Sequence, residues 1–353
     1  IRFQVEVGCL YLQHKRLEAA ETHLSDAEVL AESRRKHFPE DDTVQAALAD
    51  IHVGLAQVHF AQGDSENAER DYSTAIEFCR SLLETAPDPK ALENRIAGMQ
   101  HRLWVIRQAN CQFAQAKAAA LEAARTWIRN LEGSDDPESS ERVVWSNATL
   151  GDEALEHGDL EEGSRLYTRV IEQRNTLLES TGDPLSRRRI LSRCYRGRAR
   201  IYAQAGELQK ASDDWDAAVA LAEGTQRDLY VVERPVLQAL SGAYGAAASE
   251  VRELLQQYPP DHPVRVVGAG VLVQAGRSVA NDDSRSEDSR SESAEAFFLE
   301  AVHILQNAYD LQLFEVPSTR AFLGDPDFDP VRARNDFKAI LQGVASATKS
   351  QKD

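Results

Sequence analysis

The chain has 353 residues, 42% of them hydrophobic, and a formal net charge of −17, the proportions of a globular protein with a sizeable core. The acidic excess repels phosphate backbones and anionic membrane surfaces, so neither nucleic acid nor a membrane is an expected partner. The four cysteines lie far apart with no Cys-x-x-Cys pair, which argues against a disulfide framework or a zinc knuckle and favours a reducing, cytoplasmic location.

The N-terminal residues and the most apolar segment bear on targeting. The first residues, IRFQVEVG, lack the basic-then-apolar order of a signal peptide, and the most apolar run, 266–276, is too short to cross a bilayer. Because the sequence begins at Ile1 and its single methionine is Met99, we expect it to be a piece of a longer protein.

Seven similar segments follow one another along the chain. Each has a small residue, an apolar residue four positions later, and another apolar residue three positions beyond that. The small residues are Ala20, Ala68, Ala116, Gly163, Ala211, Ala247 and Ala294, separated by 48, 48, 47, 48, 36 and 47 positions. Spacings of four and three place these side chains on one stripe of a helix, where small residues let a neighbouring helix approach.

A turn is predicted five residues before most of these small residues. Glycine occupies this place in four segments, as Gly63, Gly158, Gly206 and Gly242. Glycine readily adopts the left-handed backbone that ends a helix, and a following acidic residue such as Asp64 can cap the next helix. Lys15 and Cys111 stand at the equivalent place in two other segments. Each unit is therefore predicted to be helix, tight turn, helix.

The residues before the turns complete a known pattern. Tyr195, Ala199 and Tyr202 precede Gly206 at helical spacing. The arrangement resembles the tetratricopeptide repeat, with large, small and aromatic residues on its first helix, glycine at the turn, and alanine and aromatic residues on its second. The resemblance covers residues 1–314 and implies an all-α, right-handed solenoid, a TPR-like superhelix of about seven helix pairs. A period near 48, rather than about 34, implies longer helices or connectors.

The C-terminal part carries a second resemblance. Residues 294–341 are similar to the end of the tetratricopeptide arrays attached to bacterial serine/threonine protein kinases of the planctomycete type. The similarity rests on DPDFDPVR at 325–332 and DF at 336–337. It implies a capping segment at 315–345 that covers the last repeat, followed by a loose tail at 346–353.

No catalytic residue, metal site or cofactor is predicted for this chain. The GxGxxG, HRD and DFG motifs of kinases are absent from the sequence, and the histidines show neither HExxH nor paired Cys/His spacing. If the parent protein is a kinase, its catalytic lobe lies outside these residues.

One basic stretch contrasts with the acidic remainder. Residues 184–206 contain seven arginines and no acidic residue. The resemblance places Arg193, Arg196 and Arg200 on the face that lines the concave groove, where guanidinium groups would hold an acidic or phosphorylated peptide. Trp145 is the predicted apolar anchor of the groove, with packing inside the stack as its alternative. The alternative for the arginines is pairing with acidic residues of the preceding unit: Glu153, Glu156, Glu161 or Glu162.

An insertion interrupts the seventh unit. The segment 281–293, NDDSRSEDSRSES, cannot bury apolar area, so a mobile surface loop is expected there.

These patterns together predict a protein-interaction scaffold. The favoured function is the C-terminal repeat region of a serine/threonine protein kinase, binding a peptide or protein in its groove. A stand-alone adaptor is the alternative of the same class, and an all-helical enzyme with its active site in the groove is the alternative of another class.

Overall fold

The computed structural model describes residues 1–134, 136–181 and 185–350, and this part of the chain is α-helical with no β-strand. The predicted all-α class is confirmed. The α-helices are α1 (Arg2–Gln13), α2 (Leu17–His37), α3 (Asp42–Gln62), α4 (Ser65–Ser81), α5 (Pro89–Ala109), α6 (Phe113–Leu131), α7 (Pro137–Glu156), α8 (Leu160–Thr181), α9 (Leu185–Gln204), α10 (Leu208–Leu221), α11 (Thr225–Glu233), α12 (Val236–Leu240), α13 (Tyr244–Leu255), α14 (Val264–Ala280), α15 (Glu287–Asp310), α16 (Pro317–Ala321) and α17 (Asn335–Ser350).

Left-handed turns join the helices of successive pairs. The backbone angle φ is positive at the six predicted turn residues: Lys15, Gly63, Cys111, Gly158, Gly206 and Gly242. After Gly63, the Asp64 side chain accepts a hydrogen bond from the Asn67 amide at 3.1 Å and caps α4. Lys15 and Cys111 thus adopt a backbone that costs a residue with a side chain about 1 kcal/mol.

The small residues of the seven segments are buried where helices meet. The six alanines among them are at most 5% exposed, and Gly163 is buried. In the described residues, the seven predicted pairs correspond to α1/α2, α3/α4, α5/α6, α7/α8, α9/α10, α12/α13 and α14/α15. Helices of 17 to 24 residues in several pairs account for the long period.

Two segments depart from the predicted pattern. In the sixth unit, Pro235 separates α11 from the five-residue α12, so the first helix of that pair is short. The expectation of a loop throughout 281–293 is wrong for its second half, because α15 begins at Glu287. The Ser286 side chain accepts from the Ser289 amide and caps this helix, with Glu287 and Asp288 in the first turn.

The C-terminal segment consists of short 3-10 helices, the five-residue α16 and α17. The 3-10 helices span Leu313–Glu315, Phe322–Gly324 and Pro326–Val331. Phe328 and Phe337 are almost completely buried, and their rings stack with centroids 5.9 Å apart. Helix α17 continues to Ser350, so the first residues of the predicted loose tail are helical.

The chain divides into two compact units. The first is Ile1–Ser146, and the second begins at Asn147 and contains α8 to α17. In the described parts of both units, no helix combines the length and the apolar composition needed to cross a bilayer.

Candidate protein-binding site

The candidate site lies in the second unit and is built on α9. Close packing of α7, α8 and α9 fixes its position. The ring of Tyr167, on α8, fills the space beside two glycines: a Cβ atom would lie 2.7 Å from the ring at Gly151 of α7 and 2.4 Å at Gly197 of α9. No larger residue fits at either position without moving the ring, and the Tyr167 hydroxyl donates to Asp152 on α7.

Arg193, Arg196 and Arg200, called the arginine site below, lie on one face of α9 because their spacing is three and four residues. The Nε atom of Arg193 donates to Asp152 at 2.8 Å. Nε of Arg196 donates to both carboxylate oxygens of Glu233, on α11, at 2.7 and 2.8 Å. Two of the three guanidinium groups are thus paired with carboxylates of neighbouring helices.

The third guanidinium contacts the C-terminal segment. Arg200 donates to Asp327, which lies 127 residues further along the chain, and Gln274 of α14 donates to the same carboxylate at 2.9 Å. Arg200 is 9% exposed and Gln274 is 3% exposed. The Nε atom of Arg200 is a buried donor with no acceptor among the described residues. The site therefore retains an unused hydrogen-bond donor beside its ion pair.

Asp325 and Asp327 belong to a short acidic turn, Asp325-Pro326-Asp327. Asp325 accepts from the Asp327 amide at 2.9 Å and lies 3.8 Å from the nearest nitrogen of Arg196. Loss of hydration and the neighbouring Asp327 carboxylate raise the pKa of Asp325 to about 7, although Arg196 and Arg200 oppose this shift. Asp325 is thus held less favourably than Asp327, which has Arg200 and Gln274 as donors.

Two cavities flank the acidic turn. A larger one of about 630 Å³ is lined by residues that include the arginine site, the exposed Arg277 and Tyr244. A smaller one of about 420 Å³ is more apolar, with Leu229 and Phe322 among its lining residues. Asp152, Arg193, Arg196, Asp325 and Asp327 line both cavities. The turn therefore occupies the middle of a longer depression and leaves space at each side.

The partners of the arginines differ from those predicted. The expected alternative was pairing with Glu153, Glu156, Glu161 or Glu162. The three arginines do pair within the chain, but with Asp152, Glu233 and Asp327. Asp152 is one residue from Glu153, which turns it about 100° around α7 and towards α9.

Trp145 lies in the first unit, so it is not part of the arginine site. Its half-buried ring forms a cluster with His101, Trp104 and Trp127, at centroid distances of 4.6, 5.5 and 5.6 Å. Burial, assisted by two nearby arginines, lowers the pKa of His101 to about 4, so this ring is neutral at neutral pH. The Trp145 ring thus packs within this cluster, and the residue as a whole is half-buried.

Sequence reasoning missed the acidic half of the site. Glu233 and Gln274 carry no local signal, since neither belongs to a motif and other polar residues stand in the same helices. Asp325 and Asp327 were recognised as part of a capping motif, but nothing in their immediate sequence links them to α9. Among the described residues, no group of three or more His, Cys, Asp or Glu side chains is arranged to hold a metal ion.

Comparison with known proteins gives fold likenesses only. Neither a protein-family model nor a curated protein matches the chain. Among solved structures, apo RapI aligns with a TM-score of 0.46 and 11% identity over 88% of this chain and 98% of its own. The TPR domain of P58(IPK) gives 0.25 and 11%, covering 100% and 99% of the two chains, and a circular tandem repeat protein gives 0.25 and 15%, covering 98% and 95%. These scores are too low to carry an argument about function.

Proposed function

We propose that this chain is a protein-interaction module and that the arginine site binds an acidic peptide segment of a protein partner. The observation that supports the proposal best is that the site already holds a stretch of acidic peptide. Arg200 and Gln274 donate hydrogen bonds to Asp327, which belongs to the acidic turn and not to a neighbouring helix of the repeat. Guanidinium groups bind peptide carboxylates with directional, charge-assisted hydrogen bonds.

The flanking cavities support a partner segment longer than the turn. The larger cavity offers the exposed guanidinium of Arg277, and the smaller one offers apolar contacts. A peptide with acidic residues on one side and apolar residues on the other has matching groups for both.

Trp145 is proposed as a second, separate contact of the module. Aromatic rings are frequent anchors of protein interfaces because they bury a large area with few rotatable bonds. Its exposed part is available to an apolar side chain of a partner.

The biological setting is a further part of the proposal. The resemblance of residues 294–341 supports a module that belongs to a serine/threonine protein kinase and brings protein partners to it. A stand-alone adaptor is the alternative. Reading the coding sequence upstream of Ile1 distinguishes them, since a kinase lobe contains GxGxxG, HRD and DFG.

The binding proposal is tested by reversing one exposed charge in the larger cavity. We expect Arg277→Glu to weaken the binding of a fluorescein-labelled oligo-aspartate peptide about ten-fold in a fluorescence anisotropy titration at low salt. Arg227→Glu is the matched control, because Arg227 is also exposed in the second unit but does not line either cavity. Equal weakening by both substitutions would mean general charge attraction and would contradict a defined site.

A further inference from the structure

The charges around α9 are incompletely balanced without the acidic turn. Arg193 and Arg196 are matched by Asp152 and Glu233, which lie on helices. Arg200 reaches Glu233 only at 3.5 Å, and its close partner is Asp327. The helical framework alone therefore leaves a buried positive charge at Arg200, and burying an unmatched charge is costly. A carboxylate from outside the framework is needed at this point.

The acidic turn supplies that carboxylate, but its two aspartates are not accommodated equally well. The Asp327 carboxylate receives donors from Arg200 and Gln274, whereas the Asp325 carboxylate lies 3.8 Å from the nearest nitrogen of Arg196. Asp325 is also crowded by Asp327, and its ionised form is disfavoured, as its raised pKa reflects. One of the two acids therefore binds well and the other does not.

The turn is tied to the capping segment by its backbone, because the Asp325 amide donates to the Phe322 carbonyl at 2.9 Å and Arg332 donates to the Asp325 carbonyl at 2.9 Å. Asp325 lies between the 3-10 helices Phe322–Gly324 and Pro326–Val331, and Asp327 belongs to the second of them. Hydrogen bonds in 3-10 helices have poorer geometry than those in an α-helix. The buried Phe328 anchors the chain directly after it. The capping segment can thus remain attached through Phe328 while the two aspartates are exchanged for other acids.

From these contacts, and resting on the proposed function, we infer that an acidic segment of the protein partner displaces the acidic turn from the arginine site. The partner segment carries two carboxylates separated by one residue, in the manner of Asp325-Pro326-Asp327. One of them takes the place of Asp327 against Arg200, and the other extends into the larger cavity towards Arg277. The turn then acts as an intramolecular competitor, so only a segment that binds the arginine site more tightly than the turn displaces it.

The probe for this inference is the chain's own sequence, LGDPDFDPV, which corresponds to residues 323–331. Binding of the labelled peptide to the full chain is measured by anisotropy for the wild type, for Asp327→Asn and for Asp325→Asn. Asp327→Asn weakens the internal contact, so we expect the peptide to bind about ten-fold more tightly than to the wild type. Asp325→Asn removes the poorly accommodated charge and tightens the internal contact, so the peptide binds more weakly than to the wild type.

Asp310→Asn is the matched control because Asp310 is exposed on α15, accepts from Gln306 and lines neither cavity beside the turn. The same amide substitution there leaves peptide affinity unchanged. Thermal unfolding of each variant shows whether the fold is intact. If Asp327→Asn does not fold, the decrease expected for Asp325→Asn still tests the inference.

The outcomes separate the inference from the proposed function. If LGDPDFDPV binds neither the wild type nor Asp327→Asn, the arginine site is not an acidic-peptide site and the proposed function fails as well. If it binds all variants equally, the site binds acids but the turn does not compete, and only the inference fails. The peptide LGNPNFDPV is expected not to bind, and equal binding of it would overturn carboxylate recognition. Tighter binding of a peptide with phosphoserine at both acidic positions would reassign the partner to a phosphopeptide.

Discussion

The two units bury polar side chains in different ways. In the first unit, Asp71 is 3% exposed and lies between His52 and His59, with distances of 3.2 and 2.8 Å to their Nδ1 atoms. All three residues belong to one helix pair and lie within 19 positions of one another. In the second unit, the partners of Arg196 and Arg200 are 37 and 127 residues away.

The difference distinguishes the polar network around Asp71 in the first unit from the arginine site, a candidate recognition site, in the second. The other ring nitrogens of His52 and His59 lie 3.7 Å from Glu28 and Glu21 of the adjacent helix α2, so this network stays within neighbouring helices. The aromatic cluster around Trp145 is stabilised mainly by burial. The arginines of α9 depend on carboxylates that arrive from distant segments. The second unit is therefore the one in which buried charges are neutralised by sequence-distant residues.

The largest effect is expected from reversing the charges of Arg196 and Arg200 together. The double substitution Arg196→Glu with Arg200→Glu places two carboxylates against Glu233 and Asp327, and breaking buried pairs costs about 3–5 kcal/mol each. We expect the second unit to lose most of its stability in urea titrations followed by hydrogen exchange, while the first unit is unaffected. The control Arg227→Glu with Arg277→Glu makes the same charge change at exposed positions and costs less than about 1 kcal/mol. Similar losses for both variants would argue against buried pairing.

The pH dependence of stability should have opposite signs in the two units. The pKa of Asp325 is raised from 3.8 to about 7, so the folded second unit holds this proton more tightly than the unfolded chain, and it loses stability as pH rises through that range. The pKa of His101 is lowered from 6.5 to about 4, so the first unit loses stability as pH falls from 6.5 towards 4. Each effect is about 2 kcal/mol after allowance for partial exposure.

The measurement is urea unfolding at several pH values between these limits. Tryptophan fluorescence reports mainly on the first unit, which contains Trp104, Trp127 and Trp145, and hydrogen exchange reports on the second. The variants His101→Phe and Asp325→Asn should each reduce the pH dependence of the free energy of unfolding in the unit that carries the substitution. The pH dependence of the other unit should not change. Slopes of the same sign in both units would contradict the burial assigned to these two groups.

A smaller effect is expected from the aromatic cluster. Trp145→Ala removes three ring contacts from a half-buried site and should destabilise the first unit by about 1–2 kcal/mol, independently of salt. Phe60→Ala is the control, since Phe60 is 47% exposed. Binding of an acidic peptide to the second unit should not change, and a change would mean that the aromatic and arginine surfaces act together.

The smallest effect concerns the turns of the repeats. Lys15→Gly relieves a left-handed backbone and should stabilise the first unit by about 0.5 kcal/mol, because the flexibility of glycine in the unfolded chain offsets part of the gain. The reverse change at an equivalent turn, Gly63→Lys, should destabilise it by about 1 kcal/mol. Chemical unfolding of both variants tests whether the two turns are equivalent.

The sequence was sufficient for features that depend on neighbouring residues. The left-handed turn at Cys111 and the buried Ala211 follow from patterns of a few residues, because helix ends and packing stripes are local. The start of α15 at Glu287 was missed because polar composition outweighed the capping signal of Ser286. The contact between Arg200 and Asp327 was not predictable, since it depends on where the C-terminal segment lies after the repeats have packed.

A double-mutant cycle on Arg200 and Asp327 measures how strongly the arginine site holds the acidic turn. The stability of the second unit is measured for the wild type, Arg200→Gln, Asp327→Asn and the double variant. We expect a coupling free energy of about 1.5–3 kcal/mol, because each group is the close partner of the other in a mostly buried setting. Additive effects, with a coupling free energy near zero, would contradict it.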